Sequence, residues 1–148
     1  MKFNSVFAIL AFCCCLLLPK SPLFAQGSNN GCDEITTGTL SYSGQEYALS
    51  RGMKLQLDKL KGQMLANPDC KVIVAGNAGG SKVSQQSSWD RVNTVIEYMS
   101  DQNNIARDRF IFVYDGSIAP ENSVLFRAAT NGEDGPSSVA PPHPDLRR

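Results

Sequence analysis

Residues 72–80 read VIVAGNAGG, a short apolar run that ends in a glycine-rich turn. A continuous apolar run of this length is typical of a strand that is buried on both faces, and it predicts a strand at 71–75. Apolar residues recur at helical spacing on either side of it, at 48–66 and at 84–102. The stretch therefore predicts a strand between two helices, and turns that leave a strand are frequent places for ligand sites.

The same alternation of strand and helix patterns continues along the chain. The spacing of apolar residues predicts, in order, a weak strand, a helix, a strand, a helix and two strands, at residues 36–42, 48–66, 71–75, 84–102, 107–114 and 123–128. Asn67-Pro68 ends the first helix, because proline cannot continue it. The order favours an α/β (α+β) fold, a β-α-β-α-β-β two-layer sandwich with two helices on one mixed sheet. Each strand–helix–strand crossover is expected to be right-handed, with its two strands parallel.

The first 25 residues are typical of a secretory signal peptide. Lys2 is followed by an uncharged apolar run at 6–18 and by the small Ala25, where cleavage is expected. A membrane anchor is the alternative, but a spanning helix needs about 20 apolar residues, which this run lacks. A lipid anchor on one of the cysteines at 13–15 is a weaker alternative. We therefore expect an exported protein of the periplasm, with or without an association with the outer membrane.

Export changes the charge and the cysteine content of the chain. Loss of Lys2 and Lys20 with the signal leaves 12 basic residues against 14 acidic ones, a net charge of −2. This balance disfavours a nucleic acid partner, which requires a basic surface. Cys32 and Cys70 are the cysteines that remain, and in an exported chain they favour one disulfide over two free thiols.

The two ends of the mature chain differ in composition from its middle. Residues 26–34 contain SNNG and predict a flexible leader, followed by a single domain at 35–128. Residues 129–148 hold four of the eight prolines and few large apolar side chains, which is typical of a disordered or extended tail. His143, the only histidine, lies in this tail.

Nucleotide sites and catalytic sites are both disfavoured. A phosphate-binding P-loop needs a lysine directly after its second glycine, whereas the order here is Gly80-Ser81-Lys82. A histidine in a proline-rich tail is poorly placed for a Ser-His-Asp triad or for a histidine-based metal site. We therefore expect a protein without catalytic residues, nucleotide, cofactor or metal.

Arg91 and Trp89 are the candidate binding residues of the second helix. Arg91 lies at the border of the apolar stripe, one turn before Val95. Its guanidinium either holds a ligand carboxylate through two parallel hydrogen bonds or forms a salt bridge within the domain. Spacing alone favours the salt bridge, and it favours Trp89 as a cap on the core rather than as a platform for stacking a sugar.

Two motifs follow the second helix pattern: residues 95–99 read VIEYM and residues 105–110 read IARDRF. Together with the first helix, its Asn-Pro stop and the strand that ends at Gly76, they resemble the OmpA-like, peptidoglycan-associated domain family over residues 49–114. Members of that family carry Gly-His-Thr-Asp at the strand end, a helix with an Arg and a Val-x-x-Tyr-Leu ending, and an Ile-x-x-x-Arg-Ile entry to the next strand. The order and spacing of these motifs carry the resemblance.

The resemblance implies a ligand and its contacts. Family members bind the diaminopimelate stem of peptidoglycan with the Asp of Gly-His-Thr-Asp and with the Arg of the following helix. Arg91 stands at that Arg position, and residues 76–79 are Gly-Asn-Ala-Gly, so Gly79 replaces the Asp. Arg91, Asn77 and Gly79 are therefore the predicted ligand-binding residues.

Loss of the Asp leaves the ammonium of such a ligand without a partner, and an unpaired buried charge is costly. Either binding is weak, another acid such as Asp90 or Asp115 substitutes, or the ligand has changed. The implied function is a non-catalytic cell-envelope module whose partner is the peptidoglycan stem peptide. The alternative is a periplasmic protein-interaction or structural module that binds an envelope protein and has no affinity for peptidoglycan.

Overall fold

A computed structural model describes residues 31–146 of the chain. The predicted signal peptide at 1–25 and the first part of the predicted leader, at 26–30, lie outside the described residues. Within 31–146, no helix is both long enough and apolar enough to cross a lipid bilayer.

Two helices and a four-stranded mixed sheet form the domain, which confirms the predicted α+β class. The elements are, in chain order, β1 (Gly38–Ser41), α1 (Arg51–Ala66), β2 (Val72–Gly76), α2 (Lys82–Glu97), β3 (Phe110–Val113) and β4 (Ser123–Ala128). This is the predicted succession of strands and helices. That the arrangement is the one found in OmpA-like domains stays a prediction.

The strands lie in the order β1-β4-β2-β3, so the last strand of the chain is inserted inside the sheet. β4 pairs antiparallel with β1 and with β2, and β2 pairs parallel with β3. β1 and β2 therefore also run in the same direction, as expected for strands joined through a helix. Because Ser123 pairs with Ser41 and Val124 pairs with Gly76, β4 begins at the same end of the sheet at which β1 and β2 finish.

Both faces of β2 are buried, as the apolar run predicts. Val72 and Val74 belong to the main core together with both helices, while Ile73 and Ala75 pack with Ile111 on the opposite face of the sheet. The apolar stripes of the two helices are also buried, at Met53, Leu57, Leu60, Met64, Trp89, Val92, Val95, Ile96 and Met99. Trp89 thus lies in the core, as its spacing favours.

Serine side chains decide where the two helices begin. Ser50 and Ser81 precede α1 and α2, and each hydroxyl accepts a hydrogen bond from the backbone N–H three residues later, at 3.3 and 3.1 Å. Each helix therefore begins one residue after its serine, at 51 and 82, instead of at the predicted 48 and 84. Residues 98–102, predicted as helix, form a π-helical turn after α2.

The predicted disulfide between Cys32 and Cys70 is present, with the two Cα atoms 5.7 Å apart and a sequence separation of 38. Cys32 is buried, and its carbonyl accepts a hydrogen bond from Ile35 N at 3.0 Å. Residues 31–34, predicted as the end of a flexible leader, are therefore attached to the domain by a covalent bond and a turn.

Residues 129–146 run across the domain, which differs from the prediction of a disordered tail. Pro136 O accepts a hydrogen bond from Phe112 N at 2.8 Å, on the free side of the edge strand β3. The tail is extended, the other form that its composition allows. Proline suits this position because it offers a carbonyl and lacks an N–H of its own.

The same tail then reaches α2. Trp89 Nε1 donates to Val139 O at 2.9 Å, and His143 N donates to Gln86 Oε1, also at 2.9 Å. The His143 ring lies 2.9 Å from Gln85 Oε1, measured from Nε2. These contacts use backbone atoms and side-chain amides, which leave no apolar periodicity in the sequence, so composition alone did not reveal them.

Candidate functional site

Three loops meet at the end of the sheet where β1 and β2 finish and β4 begins. They are residues 42–47, 77–81 and 115–122. Between them lies a cleft of about 350 Å³. The cleft is lined by residues of all three loops and of α2, among them Asn77, Gly79, Gly80, Arg91, Glu121 and Asn122. The three ligand-binding residues predicted from the sequence therefore lie around one cavity.

Arg91 lies at this cleft with only 3% of its surface exposed. Its Nε donates to Glu46 O at 2.8 Å, its Nη1 donates to Asn122 Oδ1 at 3.3 Å, and its Nη2 donates to Gly44 O. All three acceptors are neutral, and no acid within residues 31–146 forms an ion pair with Arg91. The salt bridge favoured by spacing alone is thus replaced by backbone carbonyls and an amide.

The charge of Arg91 is stabilised by its surroundings only in part. The guanidinium carbon lies 5.1 Å from the centroid of the Tyr42 ring, within range of a cation–π contact. Burial lowers the pKa of Arg91, and the proximity of Tyr42 raises it by a smaller amount. Arginine nevertheless stays charged at neutral pH, because its ordinary pKa is so high. Two of its five N–H groups have no acceptor among the described residues, so a carboxylate in the cleft would supply both acceptors and the counter-charge.

Tyr42 shows the same scarcity of polar partners. Its hydroxyl is buried and forms no hydrogen bond within residues 31–146. Burial raises the pKa of this hydroxyl, and the charge of Arg91 lowers it by less. Tyr42 therefore presents its ring to Arg91 as a neutral phenol throughout the physiological pH range.

Gly79 occupies a backbone conformation that an acidic residue would adopt only under strain. Its φ is +54°, and a Cβ atom added there would lie 2.7 Å from Ser84 Oγ. Ser84 in turn caps α2, since its hydroxyl accepts a hydrogen bond from Ser81 N at 3.1 Å. The glycine is therefore part of the local geometry, and an Asp at this position would push against Ser84, which completes the cap of α2 with Ser81.

Asn77 holds the turn after β2 against the loop before β4. Its Nδ2 donates to Ala119 O at 2.9 Å, and its Oδ1 accepts a hydrogen bond from Gly79 N at 3.0 Å. Both ends of the amide are thus engaged within the protein. Asn77 shapes the wall of the cleft, and its contribution to a ligand would come through this positioning.

The two acids considered as substitutes for the missing Asp lie elsewhere. Asp90 lines a separate groove of about 590 Å³ beside α2, and Asp115 lines neither cavity. The acid that lines the cleft is Glu121, which the sequence did not single out. Its neighbour Asn122 adopts a left-handed backbone conformation, with a φ of +52°. Asparagine adopts this conformation more readily than most residues, so an asparagine directly before a predicted strand was the local sequence signal of an organised turn.

Metal chemistry finds no support in the described part of the chain. Across residues 31–146, no group of three or more His, Cys, Asp or Glu side chains is arranged to hold a metal ion. The cleft is instead lined by amides, hydroxyls, glycines and two opposite charges, an arrangement that can bind a small polar ligand through hydrogen bonds.

No known protein-family model matches the chain, and no characterised protein matches it at a significant level. The function must therefore be inferred from the cleft and from the short motifs themselves.

Proposed function

We propose that this protein is a non-catalytic, exported binding module of the cell envelope that contacts the peptidoglycan stem peptide through Arg91. The observation that carries the proposal is that Arg91, Asn77 and Gly79, the positions implied by the OmpA-like resemblance, all line one cleft. Arg91 of α2 meets there two residues of the turn that follows β2.

The chemistry of the contact follows from the unused donors of Arg91. A stem-peptide carboxylate would accept hydrogen bonds from the two N–H groups that have no acceptor within the described residues, and burial would strengthen each charge-assisted bond. Because three other donor contacts are already committed to Gly44, Glu46 and Asn122, the arginine cannot reorient around a ligand. We therefore expect binding that is weak but selective for geometry.

The test is co-sedimentation of the purified mature protein with isolated sacculi. Gly80 and Gly62 provide a matched pair of variants, because a Cβ atom added at either position meets no atom within 4 Å. Gly80 lines the cleft, whereas Gly62 lies on the exposed side of α1. Wild type and Gly62→Tyr are expected to sediment with the sacculi and Gly80→Tyr to remain in solution. If the wild type itself stays in solution, the proposal of wall binding is wrong.

A protein-interaction module without affinity for peptidoglycan is the second candidate. It is favoured by the groove of about 590 Å³ beside α2, whose lining includes the exposed apolar side chains of Tyr47 and Val83 and the acidic Asp90 and Glu97. Cross-linking in intact cells would test it, with Tyr47→Glu, which lines the groove and not the cleft, compared against Leu55→Glu, an exposed leucine on α1. A cross-linked partner lost only in the Tyr47 variant supports this candidate, and equal cross-linking in both variants opposes it.

A further inference from the structure

The cleft is lined by two charged side chains of opposite sign, Arg91 and Glu121. No ion pair joins them, and no other described residue forms an ion pair with either. Arg91 is buried, while Glu121 is exposed in the loop before β4 and makes no hydrogen bond within residues 31–146. A cation and a carboxylate that share a cavity without neutralising each other leave room for a ligand that carries both complementary charges.

The rest of the cleft contains no competitor for this role. The other lining side chains are uncharged, and their hydroxyls and amides are in several cases engaged within the protein, as at Ser81, Ser84 and Asn77. Position 79 cannot take an acid without displacing Ser84. Within the described part of the chain, Glu121 is thus the only carboxylate that lines the cavity.

We propose that the cleft recognises a zwitterionic amino-acid group, with Arg91 holding its carboxylate and Glu121 holding its ammonium. The inference rests on the proposed function and deepens it, because it assigns the ammonium contact to a residue on a different loop. Glu121 is exposed, so water screens its attraction for a cation, and its contribution is smaller than that of a buried pair. Because Glu121 is solvated, its charge needs no partner within the protein before the ligand binds.

Two small probes with the same carbon chain separate the contribution of the ammonium from that of the carboxylate. Diaminopimelate carries both groups at each end, whereas pimelate carries only the carboxylates. Titration of each probe, followed by chemical shifts of the Gly79, Gly80 and Asn122 amides, gives both affinities in one protein. Wild type is expected to bind diaminopimelate about threefold more tightly than pimelate, a ratio typical of one solvent-exposed ion pair at neutral pH.

Glu121→Gln keeps the size and polarity of the side chain and removes its charge. It should weaken the binding of diaminopimelate about threefold, and it should not weaken the binding of pimelate. Asp115→Asn, in the same loop but outside the cleft lining, is the control and should change neither affinity. Loss of the ratio only in the Glu121 variant supports the inference.

Three results would overturn it. The first is an unchanged ratio in Glu121→Gln, the second is equal affinity of the wild type for the two probes, and the third is binding of neither probe. The sacculus experiment distinguishes these failures from failure of the proposed function. Retention of the wild type on sacculi, with loss of retention in Gly80→Tyr, would keep wall binding at the cleft while removing Glu121 from it.

Discussion

Arg91 and Arg109 are two arginines with similar acceptors, but of the two only Arg91 lines the cleft. Burial lowers the pKa of both side chains, and both donate hydrogen bonds to backbone carbonyls. Arg91 donates to two loops at the edge of a cleft. Arg109 donates to the last carbonyls of α1 and to the segment that follows the helix. The same side-chain chemistry thus appears once beside a cavity and once inside the fold.

Arg109 is almost fully used by the protein. Its Nη1 donates to Met64 O at 2.9 Å, its Nη2 donates to Asn67 O at 2.7 Å and to Cys70 O at 2.8 Å, and its Nε donates to Cys70 O at 3.2 Å. These carbonyls lie at or just beyond the C-terminus of α1, where a cation is favoured by the helix dipole and where carbonyls lack partners in the helix. Arg109 therefore joins α1 to the segment before β2, and one of its five N–H groups has no acceptor among the described residues.

The two residues differ in how many of their N–H groups the fold itself satisfies. Four donor contacts to three carbonyls satisfy Arg109, and no cavity is needed to explain it. Arg91 has three contacts, lines a cleft, and keeps two N–H groups without an acceptor in the described structure. Burial and pKa direction do not separate the two residues, whereas the count of unused donors does.

The largest expected effect concerns the cross-link on the Arg109 side of the molecule. Replacing Cys32 and Cys70 by serine removes a closure between residues 38 positions apart. The chain-entropy estimate for such a loop is about 4 kcal/mol of unfolding free energy. Urea denaturation of oxidised and variant protein measures it. A loss below about 1 kcal/mol would show that Arg109 and the core hold the N-terminal segment without the bond.

Arg109→Ala is expected to lower the unfolding free energy by about 3 kcal/mol, because the carbonyls of Met64, Asn67 and Cys70 lose their donor. The effect should appear as a lower denaturation midpoint with retention on sacculi unchanged for the fraction that remains folded. Arg107→Ala, two residues earlier and with one hydrogen bond to Asn93 Oδ1, is the control. Equal destabilisation by the two variants would contradict a special role for Arg109.

Arg91→Lys is expected to lower the unfolding free energy by about 2 kcal/mol, because a lysine cannot reach Gly44, Glu46 and Asn122 together in the planar geometry of a guanidinium. Its charge is retained, so a binding site that needed only a positive charge would keep its affinity. We expect retention on sacculi to be lost while the protein stays folded at 25 °C. Full retention in this variant would remove the directional role assigned to Arg91.

A third arginine, Arg127, forms an ion pair with a carboxylate of the same chain, that of Glu133. Its Nη2 lies 2.7 Å from Glu133 Oε1, and hydrogen bonds from Arg127 and Thr130 lower the pKa of Glu133 from 4.5 to about 2. A carboxyl group whose pKa is lowered by folding stabilises the protein at every pH above its pKa in the unfolded state. That contribution is lost as the pH falls through its pKa in the folded state. Because the pair is partly exposed, its contribution is about 0.5 kcal/mol.

Glu133→Gln should therefore be less stable than wild type at pH 7, and the difference should close as the pH falls from about 4.5 towards 2. Thermal unfolding across this pH range measures the gap. Asp145→Asn, an exposed acid near the end of the described chain, is the control. A gap that stays constant with pH would mean that the Glu133 carboxylate does not act through its charge.

Much of the fold could be predicted because it depends on apolar periodicity. The helix stripes from Met53 to Met99 and the doubly buried run of β2 are read directly from residue spacing, and the structure confirms them. The insertion of β4 between β1 and β2 could not be predicted, since strand order depends on pairing between segments that are distant in sequence. That insertion is what brings the loop with Glu121 to the end of β2.

The lining of the cleft could be predicted only in part. Short motifs named Arg91, Asn77 and Gly79, which line it, but the acceptors of Arg91 include the carbonyls of Gly44 and Glu46, and every residue type has a carbonyl. Contacts made by backbone atoms leave no trace in residue identity. The path of the tail over β3 and α2 was missed because its anchors are likewise carbonyls and amides.

The most direct test of the central claim follows the side chains of Arg91 and Arg109 together. Their Nε–Hε signals, assigned by Arg91→Lys and Arg109→Lys, are recorded while a soluble stem peptide containing diaminopimelate is added. We expect the Arg91 signal to shift in a saturable manner and the Arg109 signal to stay in place. If neither signal moves at saturating peptide, or if both move equally, Arg91 is a structural arginine like Arg109 and the cleft is not a carboxylate site.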